Sequence, residues 1–334
     1  MHHFFLRRRA ILAGLPAVLA TPALAQGVGP SASAAGLPDR PVRFIVGFSA
    51  GGPTDTVARV AAQGFSDLLG QPVPVENRTG AAGNLASEAV ARSAPDGTTL
   101  LVANVGQIVI NPHTYDRMSV DPMRDLVPVS MMTVTGLLLA VHPSLPGDHA
   151  SLVARLRSEP NRHKFATSGA GGISHVVQEL WRRRVGVEME GIHFRGAAAM
   201  VPDMLAGRTP IGLDTVIQFE QHIRAGNLRS IVNLGAQRSS IMPQVPSAAD
   251  VGLADFGFDN WFALFAPRGT PAPVIARLVQ ANRHALAIPA AIERLAAGDM
   301  QAAPSTPEEL AARCAREFRV YGEAIRAANI RTDA

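Results

Sequence analysis

Phe48-Ser49-Ala50-Gly51-Gly52-Pro53-Thr54-Asp55 and Thr167-Ser168-Gly169-Ala170-Gly171-Gly172-Ile173-Ser174-His175 are the two stretches on which the reading of this chain turns. Each follows a short β-rich run and leads into an amphipathic stretch, so each reads as strand, Gly-rich turn, helix. A third turn, Phe194-Arg195-Gly196-Ala197-Ala198, has the same setting. Glycine permits the sharp turn and lets a ligand come close to the main chain. The helix that follows aims unpaired N–H groups and the positive end of its dipole at the crevice, which suits an anion. In open α/β sheets that crevice lies beyond the carboxyl ends of the strands, where all three turns sit. One such turn from each half of the chain, facing each other, would grip an anion from both sides. Taken singly, each is equally well a helix start in which Thr54, Asp55 or Ser174 caps the N terminus. The set, with no competing site, favours a ligand.

Outward from these turns, strands alternate with helices in the pattern of an α/β fold with mostly parallel sheets. Val42 to Phe48 reads as a buried strand and Thr54 to Leu69 as the helix after it. Strands are expected at Val73 to Glu76, Thr98 to Ala103, Val127 to Val134 and Leu137 to Val141, with a helix over Leu85 to Arg92. The second half repeats the scheme, with strands at Lys164 to Thr167, Met189 to Phe194, Ile211 to Asp214 and Ser230 to Leu234. Its helices are Ala150 to Ser158, Ser174 to Arg184, Ala197 to Leu205 and one ending at Gly226. A strand at Trp261 to Ala266 and helices at Pro273 to Leu286 and Pro307 to Ala328 form a tail that could return to the first block. A chain that leaves a domain and comes back makes a two-strand hinge, the layout of clamshell binding proteins.

Length and composition agree. The 334 residues, 47% hydrophobic, suffice for two domains with buried cores. The formal net charge is +4, and three of those charges are Arg7, Arg8 and Arg9. That basic cluster precedes an apolar run to Leu24 and a small-residue Ala23-Leu24-Ala25, the layout of a cleaved export signal. Arg8-Arg9 also resembles a twin-arginine signal, and the general secretory route fits nearly as well. Residues 27–38 read as a flexible lead-in. Lys164 is the only lysine and is followed by Phe165, so no Walker A loop exists and Schiff-base chemistry is disfavoured.

Other chemistries lack their residues. The ten histidines show no His-Glu-x-x-His, and Cys314 alone can build neither a disulfide nor a zinc cluster. Cys314 fits a half-buried helix position better than a nucleophile. Neither turn has dinucleotide spacing. Arg182-Arg183-Arg184 ends a helix, where it complements the dipole, and reads as a solvated face rather than a nucleic-acid contact. His175 could donate to a carboxylate or merely cap its helix. Asp214 could order waters, hold a loop or, on an exported enzyme, serve as a base like Asp55; no partner for such chemistry is visible.

Pro41-Val-Arg-Phe-Ile-Val-Gly-Phe-Ser-Ala-Gly-Gly-Pro-Thr-Asp55 resembles the opening motif of the Bug family, the extracytoplasmic solute-binding proteins of tripartite tricarboxylate transporters. The resemblance continues, in order, through Val75-Glu-Asn-Arg-Thr-Gly-Ala-Ala-Gly-Asn84, Ala94-Pro-Asp-Gly-Thr-Thr-Leu100, Ile110-Asn-Pro112, Ser168 to His175, Arg195-Gly-Ala-Ala-Ala-Met200 and Trp261 to Pro271. It implies a type II periplasmic-binding-protein clamshell that holds a small carboxylate or dicarboxylate between its domains with no cofactor and no metal. The domains would be 39–138 plus 237–334 and 139–236, after a signal at 1–25 and the lead-in at 26–38. The carboxylate would be gripped by Gly51, Gly52, Pro53, Thr54 and Asp55, and by Ser168, Gly169, Gly172, Ser174 and His175. Asp55, an odd neighbour for an anion, would act through water. Phe48 would cover the ligand's apolar part, and Arg195, Gly196, Ala197 and Asp214 would define the distal end. Arg195 could pair a second carboxylate or point to solvent. Thr79 departs from the family's usual proline, and Phe194 from its tyrosine. The expectation is a periplasmic, monomeric, non-enzymatic receptor that binds no nucleic acid and serves transporter subunits or a sensor kinase.

Overall fold

The computed structural model describes residues 40–194 and 196–330. The export signal, the lead-in and Arg195 therefore lie outside the described residues. In chain order the first elements are β1 (Arg43–Val46), α1 (Pro53–Leu69), β2 (Val75–Asn77), α2 (Asn84–Ala91), β3 (Thr99–Asn104), α3 (Asn111–Thr114), α4 (Pro122–Asp125) and β4 (Leu126–Thr135). A π-helical turn, Gly106–Ile110, joins β3 to α3. Then follow β5 (Leu137–Val141), α5 (His149–Ser158), β6 (Lys164–Thr167), α6 (Ile173–Arg184), β7 (Glu190–His193), α7 (Ala197–Leu205), β8 (Ile211–Thr215), α8 (Val216–Arg224) and β9 (Arg229–Asn233). The chain ends with β10 (Asn260–Pro267), α9 (Ala272–Ala287), α10 (Pro289–Ala296), β11 (Gln301–Ala302) and α11 (Pro307–Ala328).

The strands form two sheets, ordered β11-β4-β10-β3-β1-β2 and β7-β6-β8-β5-β9. Both are mixed rather than mostly parallel. β1 lies parallel to β2 and β3, and β6 parallel to β7 and β8. β10, antiparallel to β3 and β4, and β5, antiparallel to β8 and β9, are the strands by which the chain enters a sheet from the other one, and the short β11 adds an antiparallel edge beside β4. A strand arriving from the opposite sheet runs against those whose helices loop back beside them, so the crossings break the parallel pattern. The parallel portions carry the Gly-rich turns at their carboxyl ends.

Three apolar clusters hold the layers. Phe44, Val102 and Leu264 of the first sheet pack on α1 and α9 through Val57, Phe65, Leu278 and Ala281. Phe44 and Phe65 meet edge to face with ring centroids 5.0 Å apart. A second cluster runs through both sheets: Leu101 and Trp261 belong to it with Leu139, Phe165, Trp181 of α6, and Tyr321 and Ile325 of α11. The third packs Leu138 and Ala166 against Met200, Met204 and Phe219 of α7 and α8.

The chain passes between sheets at Gly136 and again between β9 and β10, and these crossings are tightly built. A Cβ on Gly136 would lie 2.5 Å from Asn233 Oδ1, and one on Gly235 2.6 Å from the Gly136 Cα. Leu234 N donates to Leu137 O at 2.7 Å. Asp259 accepts from Ala236 N at 2.8 Å and pairs with Arg313 of α11 at 3.3 Å. Glu317, one turn along α11, takes Arg313 Nε and Trp261 Nε1 at 2.7 and 2.6 Å. α11 starts in a capping box between Thr306 and Glu309, so its register against the crossings is fixed at its origin.

Gly64 of α1 makes the closest helix contact: a Cβ there would sit 2.4 Å from the Ala285 Cα of α9. In an exposed helix Gly64→Ala would gain about 1 kcal/mol. Here the two backbones would be forced apart, and the variant should instead lose about 1–2 kcal/mol of stability. The urea midpoint checks this; a raised midpoint would contradict the packing argument.

Candidate functional site

The two Gly-rich turns are copies of one device. Gly51 and Gly171 take left-handed conformations, at φ 82° and 67°, which a side chain would strain. In each, the next glycine donates back across the turn, Gly52 N to Ser49 O and Gly172 N to Gly169 O, both at 3.3 Å. The amide of the left-handed glycine then donates to the side chain four residues on. Gly51 N reaches Asp55 Oδ2 at 2.9 Å, and Gly171 N reaches His175 Nδ1 at 3.0 Å. Gly52 and Gly172 are the N-cap residues of α1 and α6, with φ/ψ of −75°/170° and −76°/174°. No side chain caps either helix. First-turn N–H groups thus face the crevice without the usual Ser, Thr or Asp acceptor. Ala50-Gly51-Gly52-Pro53-Thr54-Asp55 aligns with Ala170-Gly171-Gly172-Ile173-Ser174-His175, a repeat visible in the sequence once the two turns are laid side by side.

The braces differ in charge. Burial alone would push the Asp55 carboxyl up, but Arg59, the Gly51 amide and Asn77 more than offset it and hold it below its ordinary value. Arg59 Nε and Asn77 Nδ2 both reach it at 2.9 Å, and the same Asn77 nitrogen bonds Phe48 O at 2.9 Å. Asp55 is therefore buried, ionised and occupied in holding its own loop. His175 is pushed down to about 3 by burial, helped by His193 and Arg182. Its ring is neutral; with Nδ1 accepting from Gly171, the proton sits on Nε2. The His175 and His193 rings lie 4.1 Å apart, and His193 Nδ1 is 2.8 Å from Thr167 Oγ1.

Around the second turn the expected residues converge. Ser174 Oγ accepts from Ser168 N at 3.2 Å and lies 3.1 Å from Ser168 Oγ. The Ser168 hydroxyl also bonds Asp214, whose carboxyl burial pushes up against the opposing hydrogen bonds of Ser168 and Thr215. Asp214 Oδ1 accepts from Thr215 N at 2.8 Å, at the carboxyl end of β8. The third turn joins through Gly196 N, which donates to Ser168 O at 2.9 Å, and Ala197 opens α7 directly after it. Thr54 is buried, Pro53 stands at the first position of α1, and Phe48 is half-buried against the cluster behind the first sheet.

A chain of close contacts joins the first turn to the second, and its members escaped sequence reasoning. A Cβ on Gly47 would lie 2.6 Å from the Gly83 Cα, and Gly83 O accepts from Gln107 Nε2 at 2.7 Å. Gly106, beside Gln107, faces Ile173 at the start of α6. Asn104 Oδ1 accepts from Gln107 N at 3.0 Å. The available signal was the pair Gly80-Ala-Ala-Gly83 and Asn104-Val-Gly106, each ending a predicted strand or opening a helix. Among the described residues no group of three His, Cys, Asp or Glu could hold a metal, and no helix is long and apolar enough to cross a membrane.

Uncapped helix starts thus stand at the carboxyl ends of strands in both sheets, and residues 57–330 match the family model for the tripartite tricarboxylate transporter family receptor. The chain belongs to that family. BugT of Bordetella pertussis is 34% identical over 302 residues, covering 90% of this chain and 93% of BugT. The family's solved structures share the architecture. An R. palustris protein with adipate is 28% identical, covers 88% of this chain and 99% of its own, and superposes with a TM-score of 0.81. MatC from Rhodopseudomonas palustris with bound malate is 30% identical, with coverages of 86% and 100% and a TM-score of 0.76. The fold is the two-domain periplasmic-binding-protein type, the chain is a solute-binding protein of the Bug group, and the family's location is periplasmic.

The twin turns carry a charge asymmetry that can be tested. Position 59 supplies the arginine that neutralises Asp55, whereas the matching position 179 is Glu179, buried and paired with Arg182 at 2.6 Å. His175→Asn keeps an acceptor for Gly171 and should be nearly neutral. His175→Asp places a carboxylate beside Glu179 and should cost about 2 kcal/mol more. Chemical denaturation without ligand separates the two; equal losses would contradict the brace.

Proposed function

We propose that this receptor captures a small carboxylate or dicarboxylate between the turns of its two sheets and presents it to the membrane subunits of a tripartite tricarboxylate transporter. The observation that carries the reading is the duplicated turn: two uncapped helix starts, each with its loop amide bound internally, so that the remaining N–H groups are available to one anion. The adipate and malate bound by the two R. palustris relatives are in keeping with it. Ser168 and Ser174 add hydroxyls, and hydrogen bonds to a charged acceptor contribute more than neutral ones. Gly196, Ala197 and Arg195 would meet the ligand's distal end, with Phe48 over its apolar part. The domains would be 39–138 with 237–334 and 139–236, hinged where the chain crosses at Gly136 and between β9 and β10. Export would use the signal at 1–25, and the mature receptor would act as a monomer without catalysis.

A thermal-shift panel of mono-, di- and tricarboxylates, amino acids, sugars and phosphate tests this on residues 26–334. Ligand at about a hundred times its dissociation constant should stabilise the chain by about 2.7 kcal/mol. At about 2 °C per kcal/mol, the melting temperature rises by about 5 °C. Stabilisation by sugars or phosphate alone would overturn the carboxylate reading.

Asp214 adds a pH dependence. Burial raises its pKa, so the ionised form is disfavoured, and an anion bound at Ser168 disfavours it further. Binding should therefore take up a proton, and affinity should strengthen as pH falls through the raised pKa of Asp214, once the ligand's own protonation is subtracted. Asp214→Asn should bind above that pKa as the parent does below it, with a flattened profile. Calorimetry on both sides of that pKa checks the sign; a profile unchanged in Asp214→Asn would remove Asp214 from the site.

A further inference from the structure

We propose that a cavity beside the two crossings is a second binding site, suited to a small primary ammonium compound with a short alkyl body. It shares no residue with the Gly-rich turns, so it stands independently of the carboxylate reading. Its volume is about 290 Å³, close to the lower end for ligand pockets. Thr135 and Gly136 line it where the chain leaves β4 for the second sheet, and Ser240 lines it from the segment that leads back. That returning segment packs on the second sheet, where Met242 and Val245 meet Leu138. Across the cavity stand Ile292 and Ala296 of α10, followed by Asp299 and Met300, which is packed into the core of the first sheet.

Asp299 carries the argument. It is only 7% exposed, and its Oδ1 accepts from the Ser240 amide and hydroxyl at 2.8 and 3.0 Å. Among the described residues, its Oδ2 receives no hydrogen bond and no cation pairs with the carboxylate. A carboxyl group withdrawn from water is costly to ionise without a counter-charge. The other charged residues of the wall are committed elsewhere. Arg238 pairs with Asp250 and donates to Val245 O at 3.2 Å, and Asp259 is held by Arg313 and the Ala236 amide. Unmet oxygens recur at the same wall. Thr135 is 4% exposed and its hydroxyl has no partner; Asn260, opposite it in register, leaves Oδ1 equally unmet. An ammonium group has three donors and no acceptor, which answers such a wall. Ile292, at 47% exposure one of the few large apolar side chains facing solvent, offers an alkyl chain surface to cover. A metal ion fits less well, since among the described residues no three His, Cys, Asp or Glu converge.

The test is titration of residues 26–334 with n-propylammonium chloride, against sodium chloride at equal ionic strength and n-propanol as the neutral counterpart. Calorimetry should show saturable binding of propylammonium and none of the two controls. Asp299→Asn should weaken it at least about tenfold, the loss of a hydrogen bond to a charged group. Asparagine keeps Oδ1 for Ser240 and tolerates the left-handed φ of 55° at this position. Amide NMR of the parent decides should the variant fail to fold: the Ser240 signal should move with propylammonium, while those of Gly51 and Gly171 stay. No saturable binding, equal binding of propanol, undiminished affinity in Asp299→Asn or an unmoved Ser240 amide would each overturn the site. None of these outcomes bears on the carboxylate reading, which the carboxylate panel judges separately.

Discussion

Everything at the cleft depends on one hydrogen bond made twice: the amide of a left-handed glycine donating to the side chain four residues further on. A helix start normally satisfies its N–H groups with a Ser, Thr or Asp cap, worth about 1 kcal/mol. Gly52 and Gly172 offer no side chain, so α1 and α6 forgo that stabilisation. The loop would then be free to fold over its own helix end and consume the donors. Asp55 and His175 prevent this by tying the loop amide down outside the helix axis, at 2.9 and 3.0 Å. The helix ends stay open because the loops are held elsewhere. The same arrangement explains why a buried acid can sit at the mouth of an anion site: Asp55 spends its charge on Arg59, Gly51 and Asn77.

Much of this was legible in the sequence. The three Gly-rich turns, their strands and the helices after them fall where the periodicity places them, and helix Pro307–Ala328 is found within a residue. What escaped was set by tertiary contact. Gly106–Ile110 is buried at every residue, so no amphipathic period marks it, and α3 is a single turn of four residues, too short to show one. α10 follows α9 after a single residue and blends with it in pattern. The mixed direction of the sheets depends on how two crossings enter, which no local signal reports. At the site, side-chain identity named Asp55 and His175 correctly as turn residues but not as braces. Their role follows from a hydrogen bond to an amide four residues back, and only backbone geometry reveals that. Arg195 lies outside the described residues, so the distal end rests on Gly196, Ala197 and Asp214.

The rigidity of the crossings and the openness of the helix starts are linked. Two bodies that close on a ligand need their relative motion confined to few degrees of freedom, or the ordering entropy of closure would consume the binding energy. Gly136 and Gly235 are packed backbone to backbone with the Asn233 side chain against both, and α11 braces the crossing through Arg313 and Glu317. One apolar cluster runs through both sheets and α11, so the bodies share a core at the base of the cleft.

The charge bookkeeping around the turns favours release as much as capture. Among the described residues the cations nearest the turns are already committed: Arg59 to Asp55, Arg182 and Arg183 to Glu179. An unpaired guanidinium there would add a bidentate, charge-assisted pair and slow dissociation accordingly. Backbone amides and serine hydroxyls give smaller, directional contributions that sum only when both turns are in register with the anion. On the proposed reading, each turn alone would hold weakly and the grip would require both. On the same reading, a receptor of this kind would surrender its ligand once the two turns separate, and the proton taken up at Asp214 would leave with it. Among the described residues, the donors at the two turns thus depend on backbone conformation rather than on a permanent charge.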